Sequence, residues 1–350
     1  MDLQILQVIR VLGIAVLSFL VALGLTPTLT KLLEKYQMHK QIRTSEAAPI
    51  FSQLHQKKAG TPTGGGVIIW VTVLGLAFIF WALNLFFDQF WGYLNFVDRA
   101  QTYLPIAAML IAAVLGLFDD ILGIMRIGPR GGGLMVRHKI LLYLVIALIG
   151  AGWFFYRLDW DVIYLPFMGY YNINWWYIPF FMFIITASAF SVNETDGLDG
   201  LAGGVLLFAF AALTVVAFVI NRYDLATFSG AIVGALLAFL WFNIYPARFF
   251  MGDTGSMALG ITLGTIAMLT NTALILPFFA AIPVIESLSV IVQITNKKLF
   301  GRKIFLSTPI HHHFEALGWK ESQIVMRFWI ISAIFTTLGL VIFFSSRFFT

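Results

Sequence analysis

The 350-residue sequence contains no cysteine, and only 11% of its residues are Asp, Glu, Lys or Arg. Without thiols there is no disulfide framework, no iron–sulfur cluster and no thiolate zinc site. Soluble domains carry roughly 25% charged residues, so this shortage of charge argues against one. The apolar runs do not alternate with period two, which excludes a transmembrane β-barrel. A cleavable signal is missing too: Arg10 interrupts the first apolar run and no small-residue cleavage site follows, so residue 1 is expected to belong to the mature protein. There is no low-complexity tract, no repeat of fixed period and no inverted symmetry between the halves, which disfavours a secondary transporter.

What the chain has instead is apolar surface: 60% of residues are hydrophobic and 16% aromatic. About twenty apolar residues cross a bilayer as a helix. Runs of that kind predict spans over 6–30, 65–84, 103–118, 140–157, 175–192, 200–220, 225–244, 255–275, 277–296 and 322–346. The expected architecture is an all-α polytopic membrane protein of about ten transmembrane helices, forming a single catalytic domain over 1–350.

The intervening loops differ sharply in charge. One alternating set carries Lys31, Lys35, Lys40, Arg43, Lys57 and Lys58, then Arg126, Arg130, Arg137 and Lys139, then Arg248, then Lys297, Lys298, Arg302, Lys303 and Lys320. The other carries only Arg10, Arg99, Arg157, Arg222 and Arg347. The positive-inside rule places the first set in the cytoplasm and both termini outside. In a membrane protein the placement of charge outweighs the net +5, so nucleic acid is not an expected partner. The outside loops 85–102 and 158–176 are rich in Trp, Tyr and Phe, as an interfacial aromatic belt would be.

On this topology the cytoplasmic side also gathers acids at span ends: Asp119 and Asp120 in "GLFDDILG", Glu194, Asp196 and Asp199 in "SVNETDGLDGLAGG", and Asp253 in "FFMGDTGSMALG". A carboxylate at the centre of a membrane helix costs about 2.5–3.5 kcal/mol, less near its ends. Five aspartates flanked by Gly or apolar residues, with no cation beside them in sequence, read as a divalent metal site. Oxygen-only donors suit Mg²⁺ or Mn²⁺. Mg²⁺ is usually held by one or two carboxylates plus substrate phosphates, so some of the five must do other work. Like charges on Asp119 and Asp120 disfavour double ionisation, which suits one of them to a general base. Asn193, Asp196 and Asp199 are spaced i, i+3, i+6 and are expected on one helical face; Glu194 falls off it and reads as an exposed acid.

Two further stretches are polar. "KKAGTPTGGG" (57–66) places lysines, threonines and glycines before a helix, where backbone N–H groups bind anions, so it reads as a phosphate loop or else as a flexible lead into the second span. It is not a Walker A loop, because its lysines precede its glycines. "STPIHHHFEALGW" (307–319) holds three successive histidines. Its internal position argues against a tag, and zinc binding or contact with a phosphorylated substrate both remain open from the residues alone.

Taken in order, "KAGTPTGGG", "FDD", "NETDGLDGLAGG", "FNIYPARFFMGDTGSMALG" and "PIHHHFEALGW" resemble the phospho-N-acetylmuramoyl-pentapeptide transferases of the polyprenyl-phosphate N-acetylhexosamine-1-phosphate transferase superfamily, glycosyltransferase family 4. The likeness runs from about residue 30 to the final helix. It implies ten transmembrane helices with both termini periplasmic, a cytoplasmic cleft at the bacterial inner membrane, Mg²⁺ dependence and a homodimer. The implied reaction moves phospho-MurNAc-pentapeptide from UDP-MurNAc-pentapeptide to undecaprenyl phosphate and releases UMP.

By motif, Asp119 and Asp120 match the paired aspartates, one of them the base on the lipid phosphate. Asp253 matches the Mg²⁺ ligand, with Asp119 or Asp120 as a candidate second. Asn193, Asp196 and Asp199 match the nucleotide-side cluster, Asn243 and Phe250 the uridine site, and Lys58 and Thr63 the basic loop. His311, His312 and His313 match the substrate-contacting histidines, with His312 and His313 in the catalytic set, and Lys139 matches more loosely. Gly64, Glu194 and Thr308 depart from the family's usual Met, Leu and Met without removing a needed group. The rival readings are a sister enzyme using UDP-GlcNAc, which the histidine motif disfavours, and a transporter, for which Glu286 in the ninth span is the candidate acid.

Overall fold

The computed structural model of the chain describes residues 3–39, 58, 60–87, 90–128 and 132–349. Lys40, Arg43, Lys57 and Arg130 of the loop set rich in Lys and Arg lie outside them. The helices are α1 (Leu3–Lys35), α2 (Val67–Phe86), α3 (Phe90–Leu94), α4 (Tyr103–Ile124), α5 (Val136–Arg157), α6 (Tyr177–Thr195), α7 (Leu201–Val219), α8 (Tyr223–Asn243), α9 (Gly252–Leu269), α10 (Leu276–Phe279), α11 (Ala281–Phe300), α12 (Ile310–Ala316) and α13 (Glu321–Phe349). Eight of the long ones are apolar enough over sufficient length to cross a membrane: α1, α2, α4, α5, α6, α7, α8 and α13. The protein is thus a multi-pass, mostly helical membrane protein. Side chains such as Leu12, Phe78, Ile149 and Trp241 are exposed along these helices, as lipid-facing residues are.

The other two long helices correspond to the expected eighth and ninth spans but are more polar. Helix α9 opens with Asp253, Thr254 and Ser256, and α11 carries Glu286, Gln293, Asn296, Lys297 and Lys298. The polarity of α9 is tolerated because protein, not lipid, surrounds it. It packs against α2, α4, α6 and α7, and every residue except Asp253 is buried. Small residues permit this. Gly116 of α4 lies against the Asp253 carbonyl and Thr254 Cα, Gly66 against Gly255, and Gly260 against Ala189 and Ser188. Close backbone approach at glycine is how membrane helices gain packing where lipid offers no hydrophobic gradient. A Gly116→Ala substitution would drive Cβ into the Asp253 carbonyl. It is expected to cost about 1–3 kcal/mol, read as a lower thermal midpoint in detergent, and to displace the first turn of α9.

Helix boundaries move the acids. Nothing between Leu117 and Leu122 breaks a helix, so α4 runs on to Ile124 and carries Asp119 and Asp120 inside it. Helix α5 begins at Val136, which puts Lys139 in its first turn. The expectation of one helical face for Asn193, Asp196 and Asp199 is corrected. Helix α6 stops at Thr195, Asp196 is its C-terminal cap, and Gly200 turns left-handed (φ 78°) before α7 starts. The aromatic loop 158–176 holds an antiparallel hairpin, β1 (Val162–Leu165) and β2 (Gly169–Asn172), with Val162 paired to Asn172 and Leu165 to Gly169.

Helices α1, α4, α6 and α8 end where α2, α5, α7, α9 and α13 begin, and all the polar motifs gather there. The start of α1 and the end of α13 lie at the opposite end. There Arg10 bonds Asp224 (2.6 Å) and the Asn95 carbonyl, and Arg347 lies over the Tyr164 ring of β1.

Candidate active site

The acids that look isolated in sequence have cations in the fold. The Lys139 ammonium lies 2.7 Å from Asp119 Oδ2 and 2.8 Å from Asp253 Oδ2, joining α4, α5 and α9. Asn193 Nδ2 donates to Asp253 Oδ1 (2.5 Å) and to Ser256 Oγ (2.9 Å), adding the end of α6. Asp119 Oδ1 accepts the Leu134 N–H. The side chain of Asp253 is 23% exposed against 2% for Asp119, so Asp253 is the acid that reaches outward.

Asp120 and Asp196 do different work. Both oxygens of Asp120 accept backbone N–H groups at the start of α9, from Asp253 and Thr254, each at 3.0 Å. Asp196 Oδ2 accepts the Gly252 N–H at 3.1 Å. Two carboxylates thus satisfy the orphan donors and the positive dipole end of α9. Gly252 is left-handed (φ 75°) and has the Asp120 carboxylate against its Cα, so a side chain there would fill the space that carboxylate occupies.

Asp199 belongs to a second cluster. Lys58 Nζ lies 2.6 Å from Asp199 Oδ1 and 2.5 Å from Glu321 Oε1, and 5.7 Å from the centre of the Phe250 ring. Asp199 Oδ2 accepts the Ala247 N–H (3.0 Å), and Glu321 Oε1 accepts the Asp199 N–H (2.7 Å). Asn243 is buried here: its Oδ1 accepts from Gly200 N–H and its Nδ2 donates to the Phe249 carbonyl, clipping 200 to 249. Thr63 is buried on the neighbouring loop, where its N–H bonds the Met38 carbonyl.

The phosphate-loop reading of the glycines is corrected. Gly65 N–H bonds the Phe250 carbonyl and Gly66 N–H the Met251 carbonyl, while Phe250 N–H bonds the Pro62 carbonyl. The next donors, on Val67, Ile68 and Ile69, close onto Gly64, Gly65 and Gly66. These N–H groups are consumed in stitching the loop to 250–251, and Gly65 and Gly66 serve close packing: Gly65 sits under the Phe249 ring and Gly66 against Gly255.

The histidines form the short helix α12. His311 is fully buried and packs directly on Gly197, so a side chain at 197 would collide with its ring. Its Nδ1 is 3.0 Å from Glu286 Oε2. Burial alone would lower its pKa, but the Glu286 carboxylate outweighs this and raises it above the ordinary histidine value. His312 Nδ1 lies 2.6 Å from Glu315 Oε2, and the His311 and His312 rings are 4.1 Å apart. His313 points the other way, its Nδ1 accepting the Leu306 N–H beside Phe305. Glu286 is therefore tied to the histidine helix rather than standing alone within a span. Glu194, expected to be exposed, is half-buried.

Among the described residues no three His, Asp or Glu side chains are grouped to cage a metal ion. The donors that do come together are the carboxylates of Asp119 and Asp253, an all-oxygen pair of the kind a hard divalent cation accepts. Glu321 and Ser256 escaped the sequence reading, as did Tyr143, a buried hydroxyl one turn along α5 from Lys139 with no hydrogen-bond partner among the described residues. The i, i+4 spacing of Lys139 and Tyr143 was the one signal that could have pointed to the last.

Comparison with known proteins gives the family. The Glycosyl transferase family 4 profile matches residues 103–271, from the start of α4 to just past α9. A phospho-N-acetylmuramoyl-pentapeptide-transferase of Geobacillus thermodenitrificans is 37% identical over 95% of this chain and 98% of its own length. Proteins of the same name from Clostridium novyi and Borrelia garinii are 37% and 35% identical, over 92% and 93% of this chain and 93% and 92% of their own. Identity at this level over nearly the whole length shows that the chain belongs to the phospho-N-acetylmuramoyl-pentapeptide-transferase family.

Proposed function

We propose that the protein transfers phospho-MurNAc-pentapeptide from UDP-MurNAc-pentapeptide to undecaprenyl phosphate. The products are UMP and undecaprenyl-diphospho-MurNAc-pentapeptide, the first lipid-linked intermediate of peptidoglycan synthesis. The observation that carries the reading is the convergence, in a chain of this family, of Asp119, Lys139, Asn193 and Asp253 at one end of a membrane bundle. A polyprenyl acceptor stays in the bilayer, so its phosphate can be met only at the membrane edge. The test supplies wild-type protein with Mg²⁺, undecaprenyl phosphate and radiolabelled donor. UMP release from UDP-MurNAc-pentapeptide and not from UDP-GlcNAc is expected. Release from UDP-GlcNAc alone would assign the sister activity, and release from neither would sink the proposal.

In the same reading α9 and α11 also span, giving ten crossings, and the motif-bearing end faces the cytoplasm of a bacterial inner membrane with both chain ends periplasmic. The clustering of lysines at that end supports this orientation. A homodimer is proposed with it.

Attack of a lipid phosphate on a diphosphate brings several negative charges together, so catalysis is mostly charge neutralisation and alignment. The cofactor proposed is Mg²⁺, held by Asp253 with Asp119. When bound it would supply positive charge to phosphate oxygens. Asp119 is assigned as the base on the acceptor phosphate, because its Oδ2 faces the cluster with Lys139 and Asp253, whereas both oxygens of Asp120 are bonded to the backbone of α9. Asn193 orients the Asp253 carboxylate. Lys139 neutralises the two acids and is available to a phosphate. Lys58, with Phe250 beside it, is assigned to the nucleotide side, and His311 lies against Gly197 of the 193–200 turn with the His312 ring next to it.

A further inference from the structure

Glu321 has no role in the chemistry above, yet it holds the centre of the second cluster. It begins α13, the helix following the histidine segment, and one oxygen, Oε1, accepts from two partners. Lys58 Nζ is at 2.5 Å and the Asp199 backbone N–H at 2.7 Å. Its side chain is 11% exposed, Lys58's 17% and Asp199's 4%, so the three are partly dehydrated and their attraction is little screened. Lys58 comes from the loop before α2 and Asp199 from the turn between α6 and α7. Glu321 therefore ties three segments distant in sequence at a single atom.

The charge count explains why two acids serve one lysine. A long, flexible ammonium held by a single carboxylate keeps considerable rotamer freedom. Asp199 has its other oxygen fixed by the Ala247 N–H, which sets one direction of approach to Lys58. Glu321 supplies the second direction and, by bonding the Asp199 N–H, holds the turn that carries the first. With both in place the ammonium is held near the Phe250 ring.

From this geometry we infer that Glu321 is a positioning residue for the donor: it sets Lys58 and the 199 turn in register so that Lys58 meets the donor's diphosphate. This rests on the donor proposed above. Direct binding of UDP-MurNAc-pentapeptide to the full-length protein, measured by calorimetry, tests it independently of turnover. Glu321→Ala should raise the donor Kd about tenfold, the size of losing one charge-assisted hydrogen bond. Glu321→Gln should restore most of the affinity, since its amide oxygen still accepts from Lys58 and the Asp199 N–H. Lys58→Ala should weaken binding alike, and Glu321→Ala added to Lys58→Ala should cost nothing more, as coupled residues behave in a double-mutant cycle.

A merely structural role would instead give additive losses, or a lower thermal midpoint with unchanged donor Kd, and either result overturns the inference. Should the alanine variant fail to accumulate, Glu321→Asp keeps the charge on a side chain one methylene shorter and is read against the same Kd. A wild-type protein that binds donor without releasing UMP would refute the proposed reaction but leave the inference standing. Wild type that does not bind donor would refute both.

Discussion

Asp253→Asn is expected to lower UMP release by about two to three orders of magnitude while leaving the fold intact. The carboxylate is the outward-reaching acid of the cluster, fixed on one oxygen by Asn193 and on the other by Lys139. Asparagine keeps the shape and can still bond either neighbour, so helix α9 and its caps on Asp120 and Asp196 stay as they are. What disappears is one of the two negative charges that share Lys139, from the acid that reaches outward. Lys139 retains Asp119, so no buried ammonium is stranded and the thermal midpoint should stay close to wild type. The check has two readouts. Turnover measures UMP, and Mn²⁺ titration followed by paramagnetic resonance measures divalent-ion binding in the absence of either substrate. Full turnover with unchanged Mn²⁺ affinity would remove Asp253 from the metal assignment.

Why the cations at this site were hidden in the sequence follows from separation along the chain. Lys139 and Asp253 are 114 residues apart, and Lys58 and Asp199 are 141. Neighbour rules for helices reach three or four residues, so a single sequence shows five aspartates without partners. The helices themselves were legible, because each span is a long apolar run with its own start and stop. Even there, α9 reads as a span by position more than by composition. Its Gly, Thr and Ser face other helices, a fact that hydropathy registers only as a weaker signal.

The glycine-rich loop shows a different kind of ambiguity. A Gly run before a helix frees N–H groups for an anion or lets backbones touch, and the residues are the same in both cases. Only the partners decide, and here they are the carbonyls of Phe250 and Met251. Spacing misled once: Asn193, Asp196 and Asp199 fit a helical period, but Gly197 lies among them, Gly200 follows, and the helix ends at Thr195. The turn that results is more useful than a helical face. It sends Asp196 to the start of α9, sends Asp199 to Lys58, and leaves Gly197 bare for His311.

The adjacent aspartates should separate cleanly under mutation, since one is directed at the cluster and the other at the backbone of α9. Asp119→Asn is expected to cost about a hundredfold or more in kcat, because the amide cannot accept a proton from the acceptor phosphate. Its stability should change little: Asn Oδ1 can still accept from Leu134 N–H or Lys139, and Asp253 continues to pair the lysine. Asp120→Ala should behave in the opposite way. It strips the acceptors from two N–H groups at the buried start of α9, at a cost of roughly 1–3 kcal/mol, with part of the loss coming from the uncapped helix. That appears as a lower thermal midpoint, and activity falls near it as the start of α9, which carries Asp253, comes loose. Cooling distinguishes the causes. Activity of the Asp120 variant should recover toward wild type as the temperature drops below its new midpoint, whereas the Asp119 variant should remain impaired at every temperature. A stable but inactive Asp120→Ala beside an active Asp119→Asn would exchange the two roles, because the base would then be the residue whose oxygens are bonded to α9.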